Sequence, residues 1–456
     1  MKTLKSKKIV FLLLLLSLFV TSFSFQRQRV EKGRQRETFT RHREIRSLNG
    51  GQPFRLQGRR YVPGQVLVKF KPNLREQSIE ATMAAYTTKK IRRIPKVDVY
   101  QLQIPKYFTV EEMVYALNQN PDVEYAEPNY LARIAVTPND PFFQYQYALR
   151  NSGQEIGQAG APRGKAGADI KATTAWEETK GTEEEIIAII DSGVDLLHPD
   201  LKNKIKSSGR DFVNDDFDAT DDLGHGTFVA GIAAADTNNN EGGAGVAWNC
   251  KILPVKVIDK EGWGDYSWLI EGLIWAADNG ADVINLSLGG DEAADSLRDA
   301  LKYAHDKGVV IAAATGNDGS SVLYPAAYDK FCLAVAAIDY NDARTSWSNF
   351  GSEVDVGAPG DRVFGPVPTW YWPSLGYPQD IPYAFGSGTS ASAPHVTGFA
   401  ALLKGLKPWL TVDQIMDVIR YSADDVNSAE HKGKDEFIGY GRINMEKALV
   451  PIKISR

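Results

Sequence analysis

Five continuous apolar runs constrain this chain more than any other feature. Glu185–Ile190, Lys251–Val257, Val283–Leu286, Val309–Ala314 and Leu333–Ile338 are dominated by Ile, Val, Leu and Ala with little polar alternation. A strand with one face in water alternates, whereas a strand covered on both faces does not. Between and beyond these runs lie stretches with helical spacing: Thr227–Ala235, Tyr266–Asn279, Ala294–Lys307 and Ser390–Leu403. The pattern predicts an α/β domain built on a doubly wound, mainly parallel sheet with helices on both faces. Sheets of this kind bind ligands beyond the carboxyl ends of their strands. Asp191 and Asn317 fall at such ends, while His225 and Ser390 open helices able to face the same crevice.

The 456 residues leave room for two or three domains. Residues 1–135 carry 25 Lys and Arg against 11 Asp and Glu, and the remainder carries 27 against 46. Parts of opposite sign attract, and the acidic part suits cations and disfavours nucleic acid. The basic part has no motif for reading nucleic acid either. Residues 1–25 read as a secretion signal: Lys2, Lys5, Lys7 and Lys8 precede an apolar core from Ile9 to Val20, with small residues at Ser22 and Ser24. That core is well short of the roughly 20 residues of a membrane span, so no stable anchor is expected. Residues 26–60, with eleven basic residues and three Glu, read as a basic disordered arm. Residues 61–135 then alternate between strand and helix: Gln65–Phe70, Arg75–Tyr86, Val97–Ile104, Thr109–Asn118 with Thr109 as N-cap, and an extended Val123–Ile134. This β-α-β-α-β order predicts a small ferredoxin-like module ahead of a large domain at 136–456. Cys250 and Cys332 sit in apolar runs and read as buried free thiols.

Three short motifs carry chemistry. Asp191-Ser192-Gly193 closes the first apolar run, Gly224-His225-Gly226-Thr227 opens a helix, and Gly388-Thr389-Ser390-Ala391-Ser392 opens another. A hydroxyl is a weak nucleophile until a base takes its proton, and that base needs a carboxylate to fix its tautomer. Among six histidines only His225 is flanked by glycines at a helix start. His42 lies in the basic arm, His305 and His431 in polar surroundings, His198 beside Pro199-Asp200, and His395 on the nucleophile's own helix, pointing away from it. Ser387 and Ser392 compete with Ser390 as nucleophile. Ser390 is preferred because at a helix mouth its own N–H can also meet an oxyanion. Asn317, ending Val309–Asn317, is the second oxyanion donor or else a turn asparagine that caps its own loop. The chain order Asp, His, Ser is the known order of subtilisin.

These motifs identify the chain as similar to the subtilisin-like serine peptidases, thermitase-type members in particular, over residues 61–449. The resemblance implies a secreted, monomeric endopeptidase made as a zymogen, acting on proteins and peptides. Residues 61–135 resemble the inhibitory propeptide, with Tyr61-Val62-Pro63-Gly64 near its start and Val123–Asn129 near its end. Its tail would lie in the cleft and be removed autocatalytically within Ala132–Thr137. Substrate-binding segments are implied at Gly262-Trp263-Gly264 and Ser287-Leu288-Gly289. Ala314-Thr315-Gly316 would form a pocket wall and Leu323 a pocket floor for an apolar residue before the cut. Two departures stand out: Phe228 replaces a usual histidine and Ala391 a usual methionine. The stretch 362–385 is long and aromatic, either a self-packed surface loop or a flap on the substrate side. Calcium is implied, with Asp140, Asp200 and Asn239 as side-chain ligands and carbonyls from Asp236, Glu241 and Gly243. A second cation site would draw on Asp211, Asp216 and Asp218; in both places a metal-free polar loop is the alternative. An esterase lacks support because Gly-Thr-Ser-Ala-Ser has no final glycine of a nucleophile elbow. A binding protein on an inactive scaffold is disfavoured by four intact catalytic positions, and a nucleotide-binding module by the missing G-x-G-x-x-G.

Overall fold

The computed structural model describes residues 61–130, 136–157, 160–374 and 381–449. The secretion signal, the basic arm and most of the expected processing segment lie outside these residues. The first described unit is a four-stranded antiparallel sheet with two helices. Its elements are β1 (Tyr61–Phe70), α1 (Glu76–Ala85), β2 (Lys89–Ile94), β3 (Val99–Gln103), α2 (Val110–Asn118) and β4 (Val123–Tyr130), in strand order β2-β3-β1-β4. The sequence announces three of these strands. The fourth, β2, reads Lys-Lys-Ile-Arg-Arg-Ile and is almost wholly exposed on the edge, so no buried face marks it. Charges there also discourage another chain from pairing with the edge. Thr109 caps α2 in a capping box with Glu112. Val66, Val68, Tyr100, Leu102, Met113 and Leu117 fill the core beneath.

The second sheet has seven strands, all parallel. They are β5 (Ile186–Asp191), β6 (Arg210–Asp211), β7 (Lys251–Lys256), β8 (Val283–Leu286), β9 (Val310–Ala314), β10 (Leu333–Ile338) and β11 (Val356–Pro359), ordered β11-β10-β9-β8-β5-β7-β6. Along β5, Ile187 and Ile189 enter one core while Ile186, Ala188 and Ile190 enter the other. The period of two is therefore present but apolar on both faces, which is why the runs look continuous. Helices α4 (Tyr266–Asp278) and α5 (Asp295–Asp306) cover one face, whereas α3 (His225–Ala234), α6 (Thr389–Leu406) and α7 (Val412–Ser422) cover the other. The doubly wound reading holds. The chain leaves β5 for the edge, returns to pair β7 with it, then crosses to β8 on its other side. That reversal puts the ligand crevice at the carboxyl ends of β5 and β8.

A hairpin of β12 (Val363–Pro366) and β13 (Tyr383–Gly386) brackets the aromatic stretch. Phe364 packs on Tyr383 and Phe385 within it. Cys250 and Cys332 are buried free thiols, as expected. Among the described residues no helix is long and apolar enough to cross a membrane.

Candidate active site

Asp191 is the last residue of β5 and is buried at the crevice floor. Its Oδ1 accepts a hydrogen bond from Nδ1 of His225 at 2.7 Å and another from the Ser192 N–H at 2.8 Å. The approach is possible only because the helix start is glycine. A Cβ on Gly226 would lie 2.1 Å from the carbonyl oxygen of Gly193. Burial alone would lower the pKa of His225, yet the charge and hydrogen bond of Asp191, joined by the charge of Asp221, raise it above the usual imidazole value.

Asp221 is a site residue that sequence reasoning missed. It is buried, and its carboxylate accepts from Ser192 Oγ, the N–H groups of Leu223, Gly224 and Thr227, and Thr227 Oγ1. It thereby caps α3 from outside the helix and clamps the loop that carries His225 to the turn after Asp191. Burial raises its carboxyl pKa, and these donors oppose the rise. Lys256, in register beside Asp191, is buried as well. Its Nζ donates to the carbonyls of Ser192 and Ile258 at 2.9 and 2.8 Å and to Asp222 at 2.5 Å. The available signals were an acid four residues before His225 and a charge interrupting the apolar run of β7.

Ser390 occupies the first turn of α6, where N–H groups have no helical acceptor. Pro394 lies four residues on and has no N–H to give back, so the Ser390 carbonyl is released from the helix ladder. Ser287 Oγ, just past β8, takes up that carbonyl at 2.9 Å, and Ser390 Oγ donates in return to the Ser287 carbonyl at 3.1 Å. Among the described residues no hydrogen bond joins Ser390 to His225. Asn317 follows β9, and its Oδ1 accepts from the N–H and Oγ1 of Thr389 at 2.8 and 3.0 Å. The amide is thus oriented with Nδ2 near Gly388 and, among the described residues, without a hydrogen-bond partner.

The expected substrate segments border the same crevice. Leu323 is half-buried and packs across two glycines: a Cβ on Gly316 would meet its Cγ at 2.8 Å, and one on Gly289 its Cβ at 3.1 Å. Its N–H bonds the Thr315 carbonyl at 3.0 Å, while Gly290 and Tyr324 exchange a pair of backbone bonds. Ser287–Gly289, Ala314–Gly316 and Leu323 are therefore brought together. Gly262-Trp263-Gly264 forms a tight turn after β7, closed by Asp259, with the Trp263 ring exposed and Leu223 beside Gly262. Phe228 lies in a slot whose walls are Gly365 and Gly386, in a small cluster with Ala391.

The remaining candidates separate. His198 ties its loop to Pro382 through Nε2 at 3.1 Å and accepts from the Asp200 N–H. His395 is buried on the Ala391 carbonyl, and burial pushes its pKa down to about 4. His305 is less solvated than expected: its ring packs on Phe331 and faces Asp413. Asp140 accepts the N–H groups of Asn238 and Asn239, and Asp200 accepts Asn239 Nδ2 at 3.0 Å and the Gly243 N–H at 3.1 Å. Asn239 Oδ1 receives the Glu241 N–H, and Asp236 turns its carboxylate to Asn203. Burial, aided by the charges of Asp140 and Asp236, pushes the Asp200 carboxyl up to about 7. Asp211 and Asp216 exchange a pair of backbone hydrogen bonds, but the carboxylates turn to local partners: Asp211 to the Val213 and Asn214 amides, Asp216 to the Asp218 amide, and Asp218 to Thr220. Among the described residues no three His, Cys, Asp or Glu side chains form one metal-binding group.

Residues 182–441, more than half the chain, match the model of the Subtilase family. The chain belongs to the subtilase family. Residues 51–129 match the fervidolysin N-terminal prodomain. The chain is similar to the thermophilic serine proteinase of Bacillus sp. strain AK1, at 40% identity over 85% of this chain and 88% of the relative. It is 39% identical to thermitase of Thermoactinomyces vulgaris, over 69% of this chain and 99% of thermitase. The solved structure of a protease from Pseudoalteromonas arctica matches with a TM-score of 0.57 at 30% identity, covering 69% of this chain and 99% of that one. The chain is thus a subtilisin-like serine peptidase with an N-terminal prodomain.

Proposed function

We propose that this subtilase is a secreted endopeptidase, made as a zymogen, that works through Asp191, His225 and Ser390. The single observation that carries the reading is the 2.7 Å pairing of Asp191 with His225 at the strand-order reversal where Ser390 and Asn317 also stand. Asp191 fixes the imidazole with its proton on Nδ1, leaving Nε2 free as a base. The Ser390 hydroxyl must leave the Ser287 carbonyl, pass its proton to Nε2 and attack the peptide carbonyl carbon. The resulting oxyanion is met by the Ser390 N–H and by Asn317 Nδ2, already aimed by Thr389. His225 then protonates the leaving amine, and water, activated by the same imidazole, hydrolyses the acyl-enzyme. Residues before the cut pair with Gly262–Gly264 and Ser287–Gly289. Leu323, set between Gly289 and Gly316, gives a shallow apolar pocket.

Residues 61–135 act as an intramolecular inhibitor that the enzyme removes itself, and the lysine-led apolar start of the chain directs export. Asp140, Asp200 and Asn239 fit a structural calcium ion. They converge on one loop, Asp200 is deeply buried, and among the described residues no basic side chain pairs with Asp140 or Asp200. A hard cation bound there, helped by the carbonyls of Asp236, Glu241 and Gly243, keeps both carboxylates ionised and stiffens the loop after α3. Mass spectrometry of wild-type and Ser390→Ala protein after expression tests the whole reading. Wild type should appear cut within Ala132–Thr137 and the variant full-length; an identical cut in the variant would refute self-processing.

A further inference from the structure

The segment after β12 does more than pack on itself. Thr369 donates its N–H and its hydroxyl to Asp195 Oδ2 at 2.8 and 2.9 Å, and the Trp370 indole donates to the Asp221 carbonyl at 3.2 Å. Asp195 in turn gives its N–H to Thr227 Oγ1 on α3. A Cβ on Gly224, the residue before His225, would stand 3.3 Å from Pro368 and 3.5 Å from the Tyr371 ring. Residues 368–371 are therefore fastened to both loops that hold the Asp191–His225 pair. Trp370 remains 36% exposed there, and Leu197, on the turn that begins at Asp195, is 82% exposed. Each keeps apolar surface in water although its backbone neighbourhood is tied down.

The side of the crevice follows from the chemistry. His225 hands its proton to the departing amine, so the released segment passes over the imidazole. Gly262–Gly264 touches the other flank of the same loop, through Leu223. We propose, building on the triad reading above, that Trp370 and Tyr371 with Leu197 form an apolar shelf for the first residues after the cleaved bond, selecting apolar or aromatic side chains there. The occupant is the leaving half of a peptide substrate, because the shelf is continuous with the site that releases it.

Partition of the acyl-enzyme tests this directly. A peptide ester forms the acyl-enzyme, which is then offered phenylalanine amide and glycine amide in competition with water. The ratio of the two transfer products does not depend on how much enzyme is active. Wild type should favour phenylalanine amide, and Trp370→Ala should cut that preference about fivefold to tenfold, as expected for one lost aromatic contact. Trp409→Ala, at an exposed aromatic between α6 and α7, should leave the ratio unchanged. Leu197→Ser truncates a side chain that supports little of the fold and should lower the preference about twofold, which keeps the test open if Trp370→Ala does not fold. Equal incorporation of the two amides by wild type, or a wild-type ratio in both variants, overturns the shelf. A wild-type enzyme that never turns over the ester instead strikes the triad reading on which the shelf rests.

Discussion

Two buried acidic clusters in this molecule are handled in opposite ways. Asp221, beside the Asp191–His225 pair, is met by five donors from its own chain, and Lys256 supplies an interior cation on the same side of the sheet. Asp200, beneath the loop after α3, accepts two hydrogen bonds, neither from a cation. The consequence is electrostatic. A buried carboxylate without enough donors or counter-charge resists ionisation, and Asp200 titrates near 7. One cluster is completed within the fold. On the function proposed above, the other would be completed by a cation from solution, and catalysis and stability would then depend on different acids.

The sharpest way to break this division is to compare kcat at both places. His225→Ala should lower kcat by about 10⁴-fold or more, whereas Asp200→Asn should leave it within about twofold once the protein is folded. A large loss of kcat in folded Asp200→Asn would dissolve the distinction. Asn317→Ala comes next, with kcat falling about 100- to 1000-fold and little change in KM, the magnitude known for loss of the oxyanion asparagine in subtilisin. Near wild-type kcat would return Asn317 to the role of a turn residue.

Stability is the third measure. With cations stripped, Asp200 has a folded pKa of about 7 against an ordinary value of 3.8, so the native state binds the extra proton between them. Stability should therefore be fully present below about pH 4 and decline by roughly 4 kcal/mol as pH rises to about 7. Calcium should abolish that decline and raise Tm, while Asp200→Asn should show neither the slope nor the response to calcium. Chemical denaturation across pH, with and without chelator, reads all three. The smallest effect concerns the acid limb of activity. His225 must be neutral to act, and its raised pKa places the loss of kcat/KM above pH 6.5 as the solution is acidified. Removing one raising charge with Asp221→Asn should move that limb to lower pH by a fraction of a unit. An unmoved or raised limb would show that Asp221 acts only as a clamp.

The difference between these clusters also explains what could be read in advance. The strands β5, β7, β8, β9 and β10 were legible because burial on both faces leaves a nearly continuous apolar run. The strands β2, β6 and β11 to β13 were not, being short or charged, with pairing that depends on distant neighbours. Asp191, His225 and Ser390 were legible because glycine turns and helix starts mark them. Asp221 and Lys256 carry no such punctuation. An acid beside Asp222 reads as solvated surface, and only the folded turn of Ser192 reveals it as buried. Ser390 shows the same limit: its helix start was visible, but its bond to Ser287 depends on a residue about a hundred positions away.

The proline within α6 has one more implication. Because Pro394 cannot bind back to Ser390, the proposed nucleophile is moored laterally, to the residue that follows β8, and not along its own helical axis. Its position is then indexed to the edge along which a peptide would run. Flexing of the long helix would then leave the distance between the proposed attacker and its target set by the residue that follows β8.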